Sequence, residues 1–192
     1  MRMEILLVGS ARHLELDGGL RDLEYLMLNL PHTCNYRCLK CCNYDRGESA
    51  EKPLSYDEIK ELTAEAKDLE MRVLVFAGEG EPLLDDNFYN IVSHANEKEL
   101  IPYIFTNGSM LDIKTTQFLK NNGASLVVNI DSLKKELYED LTGVEGSFER
   151  IFKNIQEIRG QFKDSHSQIN SYELRRVAIN TVISRKNQGE LS

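Results

Sequence analysis

Short apolar runs alternate with amphipathic stretches along the chain. Five of the runs are bounded by turn residues and are typical of buried or half-buried β-strands. These runs cover residues 25–30, 72–77, 101–105, 126–130 and 176–183. A further short run, residues 5–8, is also compatible with a strand. The run at 72–77 is almost continuously apolar, as in a parallel sheet that is covered on both faces.

The segments between these runs carry apolar residues at helical spacing. Residues 55–58, Ser-Tyr-Asp-Glu, form a capping box, followed by apolar residues that lie three or four positions apart through Leu69. Further helices are predicted to begin near Asp86 or Asn87, near Asp112 and at Ser147. Residues 161–171 are polar, and no element is predicted there, whereas residues 187–191 resemble a helix start.

Strands that alternate with helices at intervals of about 30 residues predict an α/β fold with parallel strands and right-handed crossovers. This pattern does not separate an open, doubly wound sheet from a barrel. No Gly-x-Gly-x-x-Gly motif follows the first strand, so the main sequence argument for a dinucleotide-binding fold is missing.

Unusual polar and glycine residues follow the predicted strands. They are Cys34, Gly80, Asn107, Asn129 with Asp131, and Asn180, the last within the fifth run. Ligands of parallel α/β folds bind at the carboxyl edge of the sheet. We therefore expect these residues to converge on one pocket.

Composition narrows the functional classes. A chain of 192 residues with 41% hydrophobic and 28% charged residues is typical of one globular domain. The net charge of −8 counts against a duplex nucleic-acid binder, and the apolar runs are too short to span a bilayer. The run at 5–8 is also too short for the core of a signal peptide, so we expect a cytoplasmic protein.

All four cysteines lie within residues 34–42, and Cys34, Cys38 and Cys41 follow the spacing Cys-x3-Cys-x2-Cys. Thiolates are soft ligands that suit iron–sulfur clusters or zinc. A zinc site would need the adjacent Cys41 and Cys42 to reach one ion, and no second ligand pair exists in the chain. Disulfides do not fit a chain without secretory features. We favour an iron–sulfur cluster, with Cys42 as a buried, unreactive thiol. Three ligands leave one iron of a four-iron cluster open to a small molecule.

This spacing resembles the signature of the radical S-adenosylmethionine (radical SAM) superfamily, which follows the first strand of a barrel. Three further segments are similar to that family: Gly78–Pro82 resembles its Gly-Gly-Glu-Pro segment, Thr106–Gly108 its Thr-Asn-Gly, and Asn129–Ser132 its Ser-x-Asp. Residues 178–183 also look like its fifth strand. Two positions depart from the pattern: Lys40 replaces an aromatic residue, and Asn129 replaces the serine.

The resemblance implies a partial (β/α) TIM-like barrel with parallel strands, of which five are present and the sixth is missing. It implies a core domain over residues 25–192 that is incomplete at its C-terminus, preceded by an N-terminal extension over residues 1–24. It implies a [4Fe–4S] cluster on Cys34, Cys38 and Cys41. The residues expected to contact SAM are Tyr36, Gly78, Gly80, Glu81, Asn107, Asn129, Asp131 and Asn180. Among them, Glu81 would accept a hydrogen bond from the SAM ammonium group, and Tyr36 would partly compensate for Lys40 near adenine.

The activity implied is reductive cleavage of SAM to a 5′-deoxyadenosyl radical, which abstracts hydrogen from a substrate. The pattern looks most like SPASM- or twitch-type members that modify peptides or small metabolites, although the extra cysteines of those enzymes are not found in this sequence. An external electron donor such as flavodoxin or ferredoxin is implied, and neither a membrane nor a nucleic acid is expected as a partner. The alternatives are a non-catalytic iron–sulfur or SAM-binding partner subunit, an electron-transfer module, and a structural zinc domain.

Overall fold

A parallel β-sheet of five strands organises the protein. The computed structural model describes residues 24–30, 33–41, 53–169 and 172–190. Seven strands occur in these residues: β1 (Tyr25–Leu28), β2 (Val73–Phe76), β3 (Ile101–Thr106), β4 (Ser125–Asn129), β5 (His166–Ile169), β6 (Tyr172–Arg175) and β7 (Val177–Asn180). The sheet has the order β1-β2-β3-β4-β7, and every neighbouring pair in it is parallel. The prediction of an α/β fold with five parallel strands is confirmed.

In the described part of the chain, five α-helices connect the strands. They are α1 (Tyr56–Asp68), α2 (Phe88–Glu97), α3 (Ile113–Asn121), α4 (Lys135–Thr142) and α5 (Ser147–Phe162), and short 3₁₀ helices occupy Pro82–Leu84 and Gln188–Glu190. The capping box at Ser55 is present, and the side chain of Asp112 accepts from the Thr115 backbone N–H as expected for an N-cap. Asn87, not Asp86, is the N-cap of α2. Among the described residues, no helix is long and apolar enough to cross a membrane.

The order of the strands separates the two architectures that the sequence leaves open. In a doubly wound sheet the order reverses at a switch point, which places helices on both faces. Here each strand is added on the same side of its predecessor in the sheet. Right-handed crossovers then place all helices on one face, as in a barrel wall.

The two faces of the sheet differ in chemistry. One face packs against the helices and carries the most deeply buried strand residues, including Leu74, Phe76 and Ile104, each 0% exposed. Alternate residues point to the opposite face, here called the inner face. On the inner face, the rings of Tyr103 and Phe105 meet edge to face, 5.3 Å apart.

Several elements differ from the prediction. The polar segment after α5 contains β5, which pairs with β6 as an antiparallel hairpin outside the main sheet. β5 has only four residues, and most of them are polar, so the hydrophobic pattern gives little signal for it. The helix expected from residue 187 is a single 3₁₀ turn, and α4 was not predicted as a separate helix. The run at 5–8 lies outside the described residues.

Candidate functional site

The cysteines follow β1 in a segment here called the cysteine loop (residues 33–41). Cys34 is exposed, whereas Cys38 and Cys41 are half-buried. The loop turns tightly, because the Cys41 backbone N–H donates to the Cys38 carbonyl at 2.9 Å. Cys42 lies outside the described residues, so its expected burial stays a prediction.

The three thiols lie close enough to influence one another's ionisation. The pKa of the Cys38 thiol is raised to about 12, mainly by burial and to a smaller extent by the neighbouring Cys34 and Cys41. Cys34 is exposed as a residue, but partial burial of its thiol raises its pKa as well. Hydrogen bonds from the Tyr36 backbone and the Asn107 side chain lower it. In the metal-free protein these two thiols hold their protons at neutral pH, and metal binding would release these protons.

Three thiols on one loop suit an iron–sulfur cluster by their chemistry. Within the described ranges, no group of three or more Cys, His, Asp or Glu side chains is arranged around one metal-ion position. Structural zinc needs four ligands that converge on one ion at about 2.3 Å for sulfur. In an iron–sulfur cluster each thiolate binds a different iron, so three thiols on one loop can be set farther apart.

Helix α4 fixes one side of the cysteine loop. The backbone N–H groups of Arg37 and Leu39 donate to the carbonyls of Thr142 and Leu141, both at 2.9 Å. These carbonyls belong to the last turn of α4, where no intrahelical donor remains. The helix stops at Gly143, with a left-handed φ of 68°. A Cβ at Gly143 would lie 2.7 Å from the Arg37 carbonyl oxygen, so the close approach requires glycine.

The glycine-rich segment after β2 fixes a second side. Gly78 adopts a φ of 132°, and a Cβ there would lie 2.0 Å from Oδ1 of Asn29. This oxygen accepts from the Glu79 backbone N–H at 2.8 Å. The Glu81 backbone N–H then donates to the carbonyl of Thr33 in the cysteine loop at 3.0 Å. Gly80 is half-buried in the same bend.

The Glu81 carboxylate joins this segment to the end of β3. It is 2% exposed. Its Oε1 accepts from the hydroxyl of Thr106 at 2.6 Å, and its Oε2 accepts from the Asn107 backbone N–H at 2.8 Å. Burial raises the pKa of this carboxyl group, against these hydrogen bonds, which lower it. Glu81 therefore has a structural role that sequence reasoning missed, and its contact with a ligand ammonium stays a prediction.

Asn107 carries the connection on to the cysteine loop. Its Nδ2 donates to Oδ1 of Asn35 at 2.8 Å and lies 3.7 Å from Sγ of Cys34. Its Oδ1 accepts from the Ser109 backbone N–H at 2.9 Å, and the Ser109 hydroxyl accepts from Asn35 at 2.7 Å. The end of β3 thus holds the first half of the loop.

The end of β4 holds the second half through an ion pair. Nζ of Lys40 lies 2.6 and 2.5 Å from the two carboxylate oxygens of Asp131. Asp131 is 7% exposed and also accepts from the Val182 backbone N–H at 2.8 Å. The lysine that departs from the family pattern therefore ties the loop to β4, and Asp131, expected to contact SAM, is its partner.

Three further predicted residues lie near this edge. Asn129 and Asn180 are register partners on β4 and β7, and Nδ2 of Asn180 donates to Oδ1 of Asn129 at 2.7 Å. Tyr36 is buried inside the cysteine loop, at 5% exposure. Its hydroxyl group and that of Tyr138 in α4 are both buried and lie close to each other. The contact of Tyr36 with adenine stays a prediction.

The structure thus brings most of the predicted residues to one edge, around the cysteine loop. Sequence reasoning did not show how the loop is held: by the Leu141 and Thr142 carbonyls and the close approach at Gly143, and by the hydrogen bonds of Asn35 within the loop to Asn107 and Ser109. A Thr-Gly pair at the end of an amphipathic stretch is a recognisable helix end, and this signal was available for α4.

Curated proteins are similar to this chain over most of its length. A probable GTP 3′,8-cyclase of Thermococcus kodakarensis is 32% identical over 142 residues, which cover 71% of this chain and 44% of that protein. An AdoMet-dependent heme synthase of Methanosarcina barkeri is 27% identical over 160 residues, 83% of this chain and 42% of that protein. The chain therefore spans less than half the length of these curated relatives.

The fold comparison agrees. The crystal structure of Streptococcus suis SuiB bound to S-adenosylmethionine superimposes with a TM-score of 0.68 at 19% identity, over 89% of this chain and 37% of that one. At this identity the likeness concerns the fold alone. The sequence profile described as "Radical SAM superfamily" matches residues 28–172, well over half of the chain. The enzymes of that superfamily use a [4Fe–4S] cluster and SAM. By this match, the chain belongs to the radical SAM superfamily.

Proposed function

We propose that this chain is the cofactor-binding core of a radical SAM enzyme, with a [4Fe–4S] cluster on Cys34, Cys38 and Cys41. The observation that carries the proposal is how the cysteine loop is held. Separate contacts tie it to the segment after β2, to the end of β3 and to the end of β4. The three thiols are thereby set at the carboxyl edge of a parallel sheet, where α/β proteins bind ligands.

The protein's own groups would hold and orient SAM beside the open iron. The residues proposed to contact it are Tyr36, Gly78, Gly80, Glu81, Asn129, Asp131 and Asn180, whereas the side-chain NH₂ group of Asn107, also expected there, is already bound to Asn35 and Cys34. When bound, the cluster and SAM supply a 5′-deoxyadenosyl radical that removes a hydrogen atom from the substrate. The chain's part is to position the reactants and to exclude water.

The apolar inner face favours a substrate whose reacting part is uncharged. Its central residues include Val75, Tyr103, Phe105 and Val127, of which Val75 and Val127 are each 5% exposed. None of the inner-face residues within β1, β2, β3, β4 and β7 is Lys or Arg. Phosphate groups are usually bound by such cations or by helix N-termini. We propose that an uncharged part of a peptide or small molecule reacts above this surface.

The same proposal implies an electron donor, a cellular compartment and domain bounds. The reduced cluster needs an external one-electron donor, such as flavodoxin or ferredoxin, and a reducing compartment such as the cytoplasm. We place the core domain at residues 25–192 and an N-terminal extension at residues 1–24.

Product analysis tests the proposal. The protein is reconstituted anaerobically with iron and sulfide, reduced with dithionite and mixed with SAM, and 5′-deoxyadenosine and methionine are quantified by mass spectrometry. We expect both products in equal amounts, and neither from a Cys41→Ala control. A protein that carries a full cluster but yields neither product would instead be the non-catalytic alternative, an iron–sulfur or SAM-binding module.

A further inference from the structure

The sulfur of Cys34 receives two N–H groups from the protein. The Tyr36 backbone N–H donates to it at 3.4 Å, and Nδ2 of Asn107 lies 3.7 Å away. Both separations fall within the range of hydrogen bonds to sulfur, which is a larger acceptor than oxygen.

The orientation of the Asn107 amide is fixed by its neighbours. The Ser109 backbone N–H can only donate, and it lies 2.9 Å from the Asn107 side-chain oxygen. The NH₂ group must therefore face Asn35 and Cys34, which settles the usual ambiguity of an amide flip. Asn107 is 8% exposed, and its backbone N–H is bound to Glu81. Both side-chain N–H groups have a partner within the protein, which leaves neither for SAM.

We infer that Asn107 is a positioning residue for the cluster: its side chain donates to the Cys34 thiolate and raises the reduction potential of the cluster, and it does not act through direct contact with SAM. Hydrogen bonds to the sulfurs are one of the factors that set the potentials of iron–sulfur clusters. Reduction places additional negative charge on the cluster and its thiolates, so a donor stabilises the reduced form more than the oxidised form. This inference rests on the proposed function.

Two variants remove the donor in different ways. Asn107→Ala removes it without adding charge. Asn107→Asp keeps the shape and the acceptor for Ser109 but replaces the NH₂ group with an oxygen. Asn121→Ala is the control for the same amide-to-methyl change away from the site, because Asn121 is exposed on α3 and its side chain accepts from Gln117.

The measurement is an EPR-monitored redox titration of the reconstituted protein without SAM. In Asn107→Ala, we expect the ratio of reduced to oxidised cluster at a fixed potential to fall about three- to tenfold, which is about 28–59 mV at 59 mV per tenfold change. In Asn107→Asp we expect this ratio to fall further, and in Asn121→Ala we expect it to stay within about twofold of wild type. If both Asn107 variants lose iron while their apo forms melt as wild type, the positioning role is also supported, because Cys34 then lacks its fixed orientation.

Two results overturn the inference in different ways. If Asn107→Ala keeps its cluster and its potential but binds SAM more weakly, Asn107 is a SAM contact and the inference alone fails. If the wild-type protein takes up no cluster, the proposed function fails and the inference falls with it.

Discussion

Gly143 offers a sharp test of how the cysteine loop is held. It ends α4 with a φ of 68°, and an added Cβ would lie 2.7 Å from the Arg37 carbonyl oxygen. Gly146 is a matched control only three residues later. Its φ is 73°, and nothing lies within 4 Å of a Cβ built there. Alanine at either position is strained in its backbone, but only at Gly143 does it push against the loop.

The expected costs follow from these contacts. A left-handed conformation costs a non-glycine residue about 1–2 kcal/mol, and this applies to both variants. In Gly143→Ala, the backbone of Arg37 must also move, which disturbs the two hydrogen bonds from the loop to α4. At about 0.5–1.5 kcal/mol for each, the additional loss of unfolding free energy is about 1–3 kcal/mol.

Thermal unfolding of the apo proteins measures the difference, since it is free of the contribution of the cluster. For a chain of this size, about 1 kcal/mol lowers the melting temperature by about 2–4 °C. We expect Gly143→Ala to melt below Gly146→Ala by this amount or more, and to retain less iron after reconstitution. Equal melting temperatures and equal iron contents would refute the role given to α4.

Three further predictions concern single side chains. Replacing Cys34, Cys38 or Cys41 by alanine should abolish the cluster in an iron assay. Cys42→Ala should keep it. Burial raises the pKa of Glu81 above its ordinary value of 4.5, so the folded protein holds this proton more tightly than the unfolded chain does. The stability of wild type relative to Glu81→Gln should therefore fall as the pH rises above 4.5. Urea denaturation of the apo proteins measures this, and a rising difference would contradict the burial argument. Lys40→Met leaves the Asp131 carboxylate without its cation, so a double-mutant cycle with Asp131→Asn should give a coupling of about 0.2–1 kcal/mol. A coupling of zero would mean that the pair does not hold the loop.

The strands could be predicted because their signal is local. Residues 73–76 are an unbroken apolar run, and the structure buries all four of them. The capping box at Ser55 was likewise readable from four consecutive residues. The β5–β6 hairpin lacks such a signal, because each strand has only four residues and those of β5 are mostly polar.

The partners of the site residues could not be predicted in the same way. Lys40 and Asp131 are 91 positions apart, and Asn107 and Cys34 are 73 apart. Sequence alone placed each residue at a strand end but did not show which of them bind one another. Glu81 illustrates the difference: its position predicted a ligand contact, whereas its two oxygens are bound by Thr106 and Asn107.

The most direct measurement is the EPR spectrum of the reduced, reconstituted protein before and after the addition of SAM. Three cysteine ligands leave one iron to be coordinated by SAM, so we predict about four irons per chain and a clear change in the spectrum. A cluster whose spectrum is the same with and without SAM, or a full cluster in Cys38→Ala, would contradict this account of the site.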